Sequence, residues 1–255
     1  MLGHNQSMLV AAIDTTTRLG SLAIVSDERV LATYVGDGGR PHATRLPVDL
    51  LELLGRHNLA VSDVDVFAVV TGPGSFTGLR IGLAAVQGLA FASAKPVVGV
   101  SAFDALAAAV WSEHPETADI PLAIWLDGQR REVFAAVVRT VATRAALSEP
   151  ELEYVEAPSV ALPSVVLGRW VGESWWGSAT FAGDGTLVYG DMLAERLSPP
   201  QRVIDPTPLL SPAAGLIAVR RALAGLASAP HAVKPIYVRR PDAELARARQ
   251  RESGA

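Results

Sequence analysis

The sequence predicts an α/β protein made of two halves that repeat one plan. Two continuous apolar runs, at residues 9–13 and 121–126, each end in an aspartate, Asp14 or Asp127, and each is followed by a polar turn and a further strand pattern. Such runs are typical of central strands buried on both faces. Helical patterns alternate with strand patterns after the first three strands, which indicates mixed sheets flanked by helices.

The first half has a regular order of elements. The three initial strand patterns are joined by short polar turns, so we predict an antiparallel meander. The helix that follows is amphipathic, and its leucines Leu46, Leu50, Leu53 and Leu54 recur at helical spacing. On that pattern alone the leucines are interpreted as core. The predicted elements are strands at 9–13, 21–25, 30–35, 64–70 and 97–100, and helices at 43–57 and 79–94.

The second half restarts the plan after a polar, proline-containing linker at residues 113–119. The patterns predict strands at 121–126 and 133–138, a helix at 159–169, a strand and turn at 179–189 that contains Gly183-Asp184-Gly185, and a helix to about residue 226 with Ser211 as N-cap and Pro212 at its first position.

These elements give a predicted domain organisation. We expect a disordered leader at 1–7, a first lobe at 8–112, a second lobe at 119–240 and a flexible charged tail at 241–255. Two related halves, each with an aspartate at the end of its first strand, indicate the actin-like ATPase architecture. In that architecture the two aspartate loops face each other across a cleft.

Composition narrows the classes of function. The 255 residues are 49% hydrophobic and 19% charged, with a net charge of −4, which argues against a self-sufficient nucleic-acid-binding module. There is no cysteine, so disulfides, thiolate metal sites and a cysteine nucleophile are excluded. We find no signal-peptide pattern and no uncharged run suited to a bilayer, and we expect a soluble cytoplasmic protein.

A glycine-rich segment at residues 71–82 matches neither the Walker A motif nor the dinucleotide fingerprint. Phosphate binding at the start of its helix stays an alternative. Gly74, Gly78 and Gly82 are four residues apart and share one helix face. The rest of the helix is also apolar, with Arg80 as its lone charge. We therefore favour a helix–helix interface with a partner over packing within the chain, and expect Gly78→Leu to abolish pairing.

The candidates for chemistry are few. Asp14, followed by Thr15, is a candidate for phosphate or metal chemistry, and Asp127 and Asp184 are weaker ones. The alternative for each is an aspartate that satisfies backbone amides in a turn. The five histidines are not spaced as metal ligands, and Gly-x-Ser-x-Gly is absent. No catalytic or metal site is predicted.

Six segments together resemble the TsaB (YeaZ) family of bacterial tRNA-modification proteins. The glycine-rich segment is the most specific of them, and together they cover nearly the whole chain. The segments are residues 13–16, 72–82, 96–101, 127–135, 182–185 and 235–239.

The resemblance implies a non-catalytic subunit with a two-lobed actin-like (ASKHA, RNase H-like) fold. Members pair with a catalytic paralogue, TsaD, and a small ATPase, TsaE. Together they transfer a threonylcarbamoyl group to the adenosine beside the anticodon of tRNAs that read codons starting with A. ATP and magnesium are then used by the complex, no cofactor is bound tightly by this chain, and tRNA is reached only through the complex.

The resemblance also implies a pairing surface on the two helices of the first lobe. TsaD carries paired metal-binding histidines there, whereas this chain offers only His42, followed by Ala43-Thr44 where the family usually has Ser-Glu. An isolated chain is expected to form a homodimer through the same surface. The competing hypothesis is an ATP-dependent phosphotransferase that acts through Asp14 and Asp127. The predicted interface residues are His42, Leu46, Leu50, Leu53, Gly74, Phe76, Gly78, Arg80, Gly82, Ala85 and Leu89.

Overall fold

The computed structural model describes residues 7–141, 151–205 and 208–239. The predicted tail and all but the last residue of the predicted leader lie outside this part. Within it, no helix is both long enough and apolar enough to cross a membrane.

The first sheet contains five strands and confirms the predicted meander. β1, β2 and β3 pair antiparallel in sequence, and β4 and β5 continue the sheet parallel to β1 on its other side. Every residue of β1 is buried, as expected of a central strand. The strands are β1 (Leu9–Asp14), β2 (Ser21–Ser26), β3 (Arg29–Val35), β4 (Val66–Gly72) and β5 (Val97–Ser101), in the order β3-β2-β1-β4-β5.

The second sheet repeats this topology. Its central strand pairs antiparallel with the next strand in the chain and parallel with the fourth strand of its half. The order β8-β7-β6-β9-β10 is therefore equivalent to that of the first sheet, and the predicted repeat of the plan is confirmed. The strands are β6 (Leu122–Asp127), β7 (Val133–Val141), β8 (Glu151–Ala161), β9 (Thr180–Ala182) and β10 (Arg202–Val203).

The helices separate and cover the two sheets. Two helices, α1 and α2, pack on the outer face of the first sheet, while α3 and α7 form one core between the sheets. α4 packs on the outer face of the second sheet beside a cluster of tryptophans. The result is the layered α/β architecture predicted from the sequence. The helices are α1 (His42–Arg56), α2 (Phe76–Ala92), α3 (Ala102–Glu113), α4 (Pro163–Trp170), α5 (Asp184–Val188), α6 (Gly190–Ala194) and α7 (Leu210–Leu223).

Several predicted boundaries are wrong. Residue Ser159 lies in β8, opposite Ala135, so the helix predicted from 159 begins at Pro163. Ser211 is buried inside α7, whose N-cap is Leu209, because the helix starts two residues earlier than the Ser-Pro signal indicates. The sequence patterns also did not predict α3 or β8.

The predicted second lobe, 119–240, is wrong for its last segment. After residue 208 the chain returns to the first lobe, where α7 packs on β1, β2 and β4. Gly215 makes this possible, since a Cβ there would lie 2.5 Å from the side chain of Val25. Ser228 pairs with Val97, and the amide of Ile236 donates to the Thr71 carbonyl at 2.7 Å. The first lobe is therefore assembled from two segments that are far apart in the sequence.

Candidate functional site

α1 and α2 lie side by side on the first sheet, and each has an inner and an outer face. The inner face of α1 carries the leucines found by periodicity, and Leu46, Leu50 and Leu53 are 1–4% exposed in the core. Its outer face exposes Val48 and Leu51, at 53% and 55%. The three leucines predicted at the partner interface are thus core residues, because this chain's own sheet occupies their face.

The glycine face of α2 also points inward. A Cβ on Gly78 would lie 2.0 Å from the carbonyl oxygen of Thr15, and one on Gly82 would lie 2.1 Å from the Thr15 hydroxyl. Gly74 precedes α2 and is therefore not on the predicted helix face, but a Cβ on it would lie 2.5 Å from Thr16. The predicted partner contact of these glycines is therefore wrong. They let α2 approach the turn after β1, and substitution would damage the chain's own packing.

The outer face of α2 is the one left uncovered. Phe91 is 82% exposed, Ala84 and Gly88 are exposed, and Ala85 and Leu89 lie half-buried at the margin. A helix with apolar residues on both faces needs cover on both faces, and the described chain supplies it on one. We use the name outer surface for five exposed apolar residues of the two helices: Val48, Leu51, Ala84, Gly88 and Phe91.

At the start of α2, two predicted interface residues contact the C-terminal segment instead. The Arg80 guanidinium lies 3.9 Å from the ring centroid of Phe76, and its Nε donates to the Tyr237 hydroxyl at 3.2 Å. The Phe76 and Tyr237 rings are 5.4 Å apart. Tyr237 was not singled out as a site residue, although residues 235–239 carried part of the family resemblance.

His42 is held inside its own lobe. Arg45 is a donor only, so the His42 Nδ1 accepts from it at 2.8 Å and Nε2 donates to the Thr17 carbonyl at 3.0 Å. Burial, helped by the charge of Arg45, lowers the pKa of His42. Arg45 is itself buried and pairs with Asp49 at 2.9 Å. These contacts fix the β1–β2 turn and engage both ring nitrogens of His42.

The Asp14 side chain accepts hydrogen bonds from within its own turn. Its Oδ1 accepts from the amide of Thr16 at 2.8 Å and from the Thr16 hydroxyl at 2.6 Å. Burial raises the pKa of Asp14 to about 6, against the lowering effect of these hydrogen bonds, and the charge of Asp184 adds to the rise. Thr15 packs under α2, where its hydroxyl donates to the Gly78 carbonyl at 2.8 Å, so its predicted nucleotide-facing role is wrong.

Asp127 repeats the geometry of Asp14 in the second lobe. Its Oδ1 accepts from the amide of Gln129 at 2.9 Å, and its own amide donates to Asp184 at 2.9 Å. Asp184 begins α5 rather than lying in a plain turn, and burial raises its pKa, with a further contribution from the charge of Asp127. The three predicted aspartates do come together at the cleft, but each holds backbone amides there.

The described residues of the first lobe and the cleft form an exposed apolar surface rather than a cluster of catalytic groups. Over the described ranges, no three histidine, aspartate or glutamate side chains are grouped as a metal site. What stands out is the outer surface. Its residues on α2 cannot be identified from the sequence, because an exposed and a buried apolar face look alike on an all-apolar helix.

Comparison with known proteins points in one direction. Residues 33–195 match the family model described as TsaD, tRNA N6-adenosine threonylcarbamoyltransferase. The tRNA threonylcarbamoyladenosine biosynthesis protein TsaB of Haemophilus influenzae is 35% identical over 136 residues, 52% of this chain and 56% of that protein. The TsaB protein of Escherichia coli is 34% identical over 110 residues, 43% of this chain and 47% of that protein.

The fold agrees with a solved structure. A Pseudomonas aeruginosa protein, described as uncharacterized with similarity to peptidase YEAZ, superposes with a TM-score of 0.71 at 27% identity. That match covers 91% of this chain and 100% of the other. In sequence, the chain spans about half the length of the curated relatives it matches.

Proposed function

The chain belongs to the TsaB (YeaZ) family and carries a TsaD-type domain, and from this premise we propose that it is a non-catalytic subunit of the tRNA threonylcarbamoyladenosine-forming machinery. Its role is to bind the catalytic paralogue TsaD. The complex, with the small ATPase TsaE, transfers the threonylcarbamoyl group to tRNA in the cytoplasm.

The observation that carries this proposal is the outer surface of α1 and α2. It presents Val48 and Leu51 of α1 and Phe91 of α2 to solvent, and Ala84 and Gly88 are small exposed residues of α2. Small residues beside large apolar ones allow close helix approach and supply an anchor for a pocket on a partner.

The match to the TsaD family model supports a paralogue as the occupant. Two chains of one fold present equivalent helix pairs. We propose that they pair through these helices about a pseudo-twofold axis, as identical subunits pair about a true twofold axis. For the same reason we propose that the isolated chain forms a homodimer through the outer surface, as a substitute for the heterodimer.

The contacts of His42 and Asp14 favour a non-catalytic role for this chain. Both ring nitrogens of His42 are engaged by Arg45 and Thr17, and Asp14 accepts hydrogen bonds from Thr16. We therefore assign metal binding and the use of ATP and magnesium to the other subunits, with no tightly bound cofactor in this chain.

Charge substitution on the outer surface tests the proposal. Phe91→Asp and Leu51→Asp place a carboxylate where an apolar partner surface would bury it, so we expect TsaD affinity to fall at least roughly 30-fold, the loss typical of an interface hot spot. Threonylcarbamoyladenosine formation by the reconstituted complex, measured by nucleoside mass spectrometry, should fall in parallel.

Val165→Asp on α4 is the matched control. Val165 is 49% exposed and lies on the far side of the molecule, on the helix that covers the second sheet. It should leave TsaD binding unchanged. Unaltered co-purification of TsaD with the Phe91→Asp and Leu51→Asp chains would overturn the assignment of the surface.

A further inference from the structure

A cavity of about 440 Å³ lies between the two lobes, at the start of α2. The first lobe contributes residues 73–77, 79 and 80, the second lobe contributes the turn after β6 and Phe134, and the returning C-terminal segment contributes residues 236–239. Its volume is within the range of pockets that hold small organic ligands. The proposed pairing with TsaD involves the outer surface and does not involve this cavity.

The charged side chains that line the described part of the cavity are all cationic. Arg80, Arg130 and Arg239 contribute to it, and among the described lining residues there is no carboxylate. Arg80 contacts a ring and a hydroxyl, Phe76 and Tyr237, rather than a counter-ion. Arg239 pairs with Glu132, yet its buried Nε has no hydrogen-bond partner in the described part of the chain. Buried donors normally have partners, so this lining favours an anion.

The remaining lining is flat and apolar. Phe76 and Tyr237 are 42% and 38% exposed, and they join Leu79 and Ile236 in the wall of the cavity. Exposed aromatic rings and a guanidinium plane are surfaces on which a planar ring stacks. A ligand that carries both a charge and a ring would use both parts of the lining.

The turn at the edge of the cavity has a strained backbone. Gln129, Arg130 and Arg131 have φ values of 57°, 54° and 64°, three successive non-glycine residues in the left-handed region. Each such residue costs about 1–2 kcal/mol. Two hydrogen bonds from Gln129 to Asp127, at 2.9 and 2.6 Å, hold this conformation. It positions Gln129 and Arg130 at the cavity, and such strain clusters at ligand-binding sites.

We propose that this cavity binds a small organic anion with a flat ring, of the mononucleotide class, without a metal ion. The negative group lies by Arg80 and Arg239, and the ring lies against Phe76 and Tyr237. Because no carboxylate of the described lining is available to a magnesium ion, this site differs from a kinase-type site built on Asp14 and Asp127.

Calorimetry on the full-length chain in EDTA tests the proposal with three probes: adenosine monophosphate, inorganic phosphate and adenosine. Adenosine monophosphate should bind saturably with one site, and at least roughly tenfold more tightly than the probe with charge alone or the probe with the ring alone. Absence of saturable binding of adenosine monophosphate overturns the proposal. A requirement for magnesium also overturns it and points to the aspartates.

Variants locate the site. Arg80→Gln and Tyr237→Leu should each weaken adenosine monophosphate binding roughly tenfold, the effect of one charge-assisted hydrogen bond or one stacked ring, whereas Tyr237→Phe should retain most of the affinity. Arg139→Gln, an exposed arginine on β7 that pairs with Glu153, is the control and should bind normally. Equal affinity in Arg80→Gln and Arg139→Gln would place the ligand elsewhere and overturn the assignment.

Two further measurements separate this result from the pairing proposal. Phe91→Asp should bind adenosine monophosphate as the unsubstituted chain does, because Phe91 lies at the far end of α2. Arg80→Gln should still fold, which circular dichroism checks. If a short single-stranded RNA binds at Arg80 and adenosine monophosphate does not, the occupant is a nucleic acid and the small-ligand proposal is wrong.

Discussion

The two lobes share a sheet topology but use the end of the central strand differently. In each, an aspartate accepts the amide two residues further on, Asp14 from Thr16 and Asp127 from Gln129. Thr15 and Thr16, which follow Asp14, are buried under α2, which is 17 residues long. The turn after Asp127 faces the interlobe cavity, and the corresponding helix, α5, has only 5 residues.

This difference shows how one plan supports two kinds of surface. The first lobe extends the helix after its fourth strand, so that the helix covers the sheet on one side and exposes Phe91 and its neighbours on the other. The second lobe keeps the helix short, which leaves the turn of Gln129 and Arg130 open to the cleft. We attribute docking to the outer face of α2, and ligand binding to the cavity where the start of α2, this turn and the C-terminal segment meet.

The largest expected effect contrasts the ion pairs of the two lobes. Arg45 and Asp49 are 3% and 6% exposed, whereas Arg139 and Glu153 are 55% and 47% exposed. Asp49→Asn leaves a buried guanidinium without its counter-charge, so the free energy of unfolding should fall by about 3–5 kcal/mol. Glu153→Gln should change it by less than about 1 kcal/mol. Urea unfolding followed by circular dichroism measures both, and equal losses would contradict the contrast in burial.

The next effect compares two glycines, one in each lobe, that pack against the backbone at the end of the central strand. A Cβ on Gly78 would lie 2.0 Å from the Thr15 carbonyl, and one on Gly183, whose φ is 115°, would lie 2.0 Å from the Trp125 carbonyl. Gly78→Ala and Gly183→Ala should therefore each destabilise the fold by about 2–3 kcal/mol.

Gly88→Ala is the control for the glycine substitutions. It lies in the same helix as Gly78, but a Cβ there would meet nothing within 4 Å. It should be neutral or stabilise the chain by as much as about 1 kcal/mol, because alanine favours the helix. A loss of stability in Gly88→Ala as large as that in Gly78→Ala would show that packing against the Thr15 turn is not the cause.

The smallest effect depends on pH. The folded pKa of Asp14, about 6, is above its ordinary value of 3.8, so the folded state binds this proton more tightly and stability falls as the pH rises through this window. Asp14→Asn should raise the free energy of unfolding at pH 8 by about 1–2 kcal/mol, part of the burial penalty being offset by weaker hydrogen bonds to Thr16. The gain should vanish near pH 4.

Urea unfolding of both chains at pH 8, 6 and 4 provides the check, since the difference between them isolates Asp14 from Asp184. Asp127→Asn should give a smaller change at pH 8, because the Asp127 side chain is only half-buried. A chain that loses stability at pH 8 on Asp14→Asn would show that the ionised carboxylate stabilises the turn.

The sequence was sufficient to predict those strands of both sheets that consist of a clear apolar run. β1 and β6 could be predicted because full burial requires continuous apolar residues. β8 could not, since it is an edge strand whose Glu153 and Glu156 break the pattern. The placement of α7 was missed because nothing local records which sheet a helix covers. α1 and α2 were both predicted as helices. The direction of the glycine face was predicted wrongly, because spacing shows only which glycines share a face.

The return of α7 to the first sheet affects how the protein is made. β1 is complete at residue 14, but α7 begins at residue 210. At about 5–20 residues per second, a ribosome needs roughly 10–40 seconds to bridge that interval. Until then the apolar side chains of Ala12 and Val25, against which Gly215 packs in the folded protein, are not covered by α7. Until α7 has been made, the nascent chain therefore exposes apolar surface of the kind that makes partly folded chains prone to aggregation and that chaperones protect.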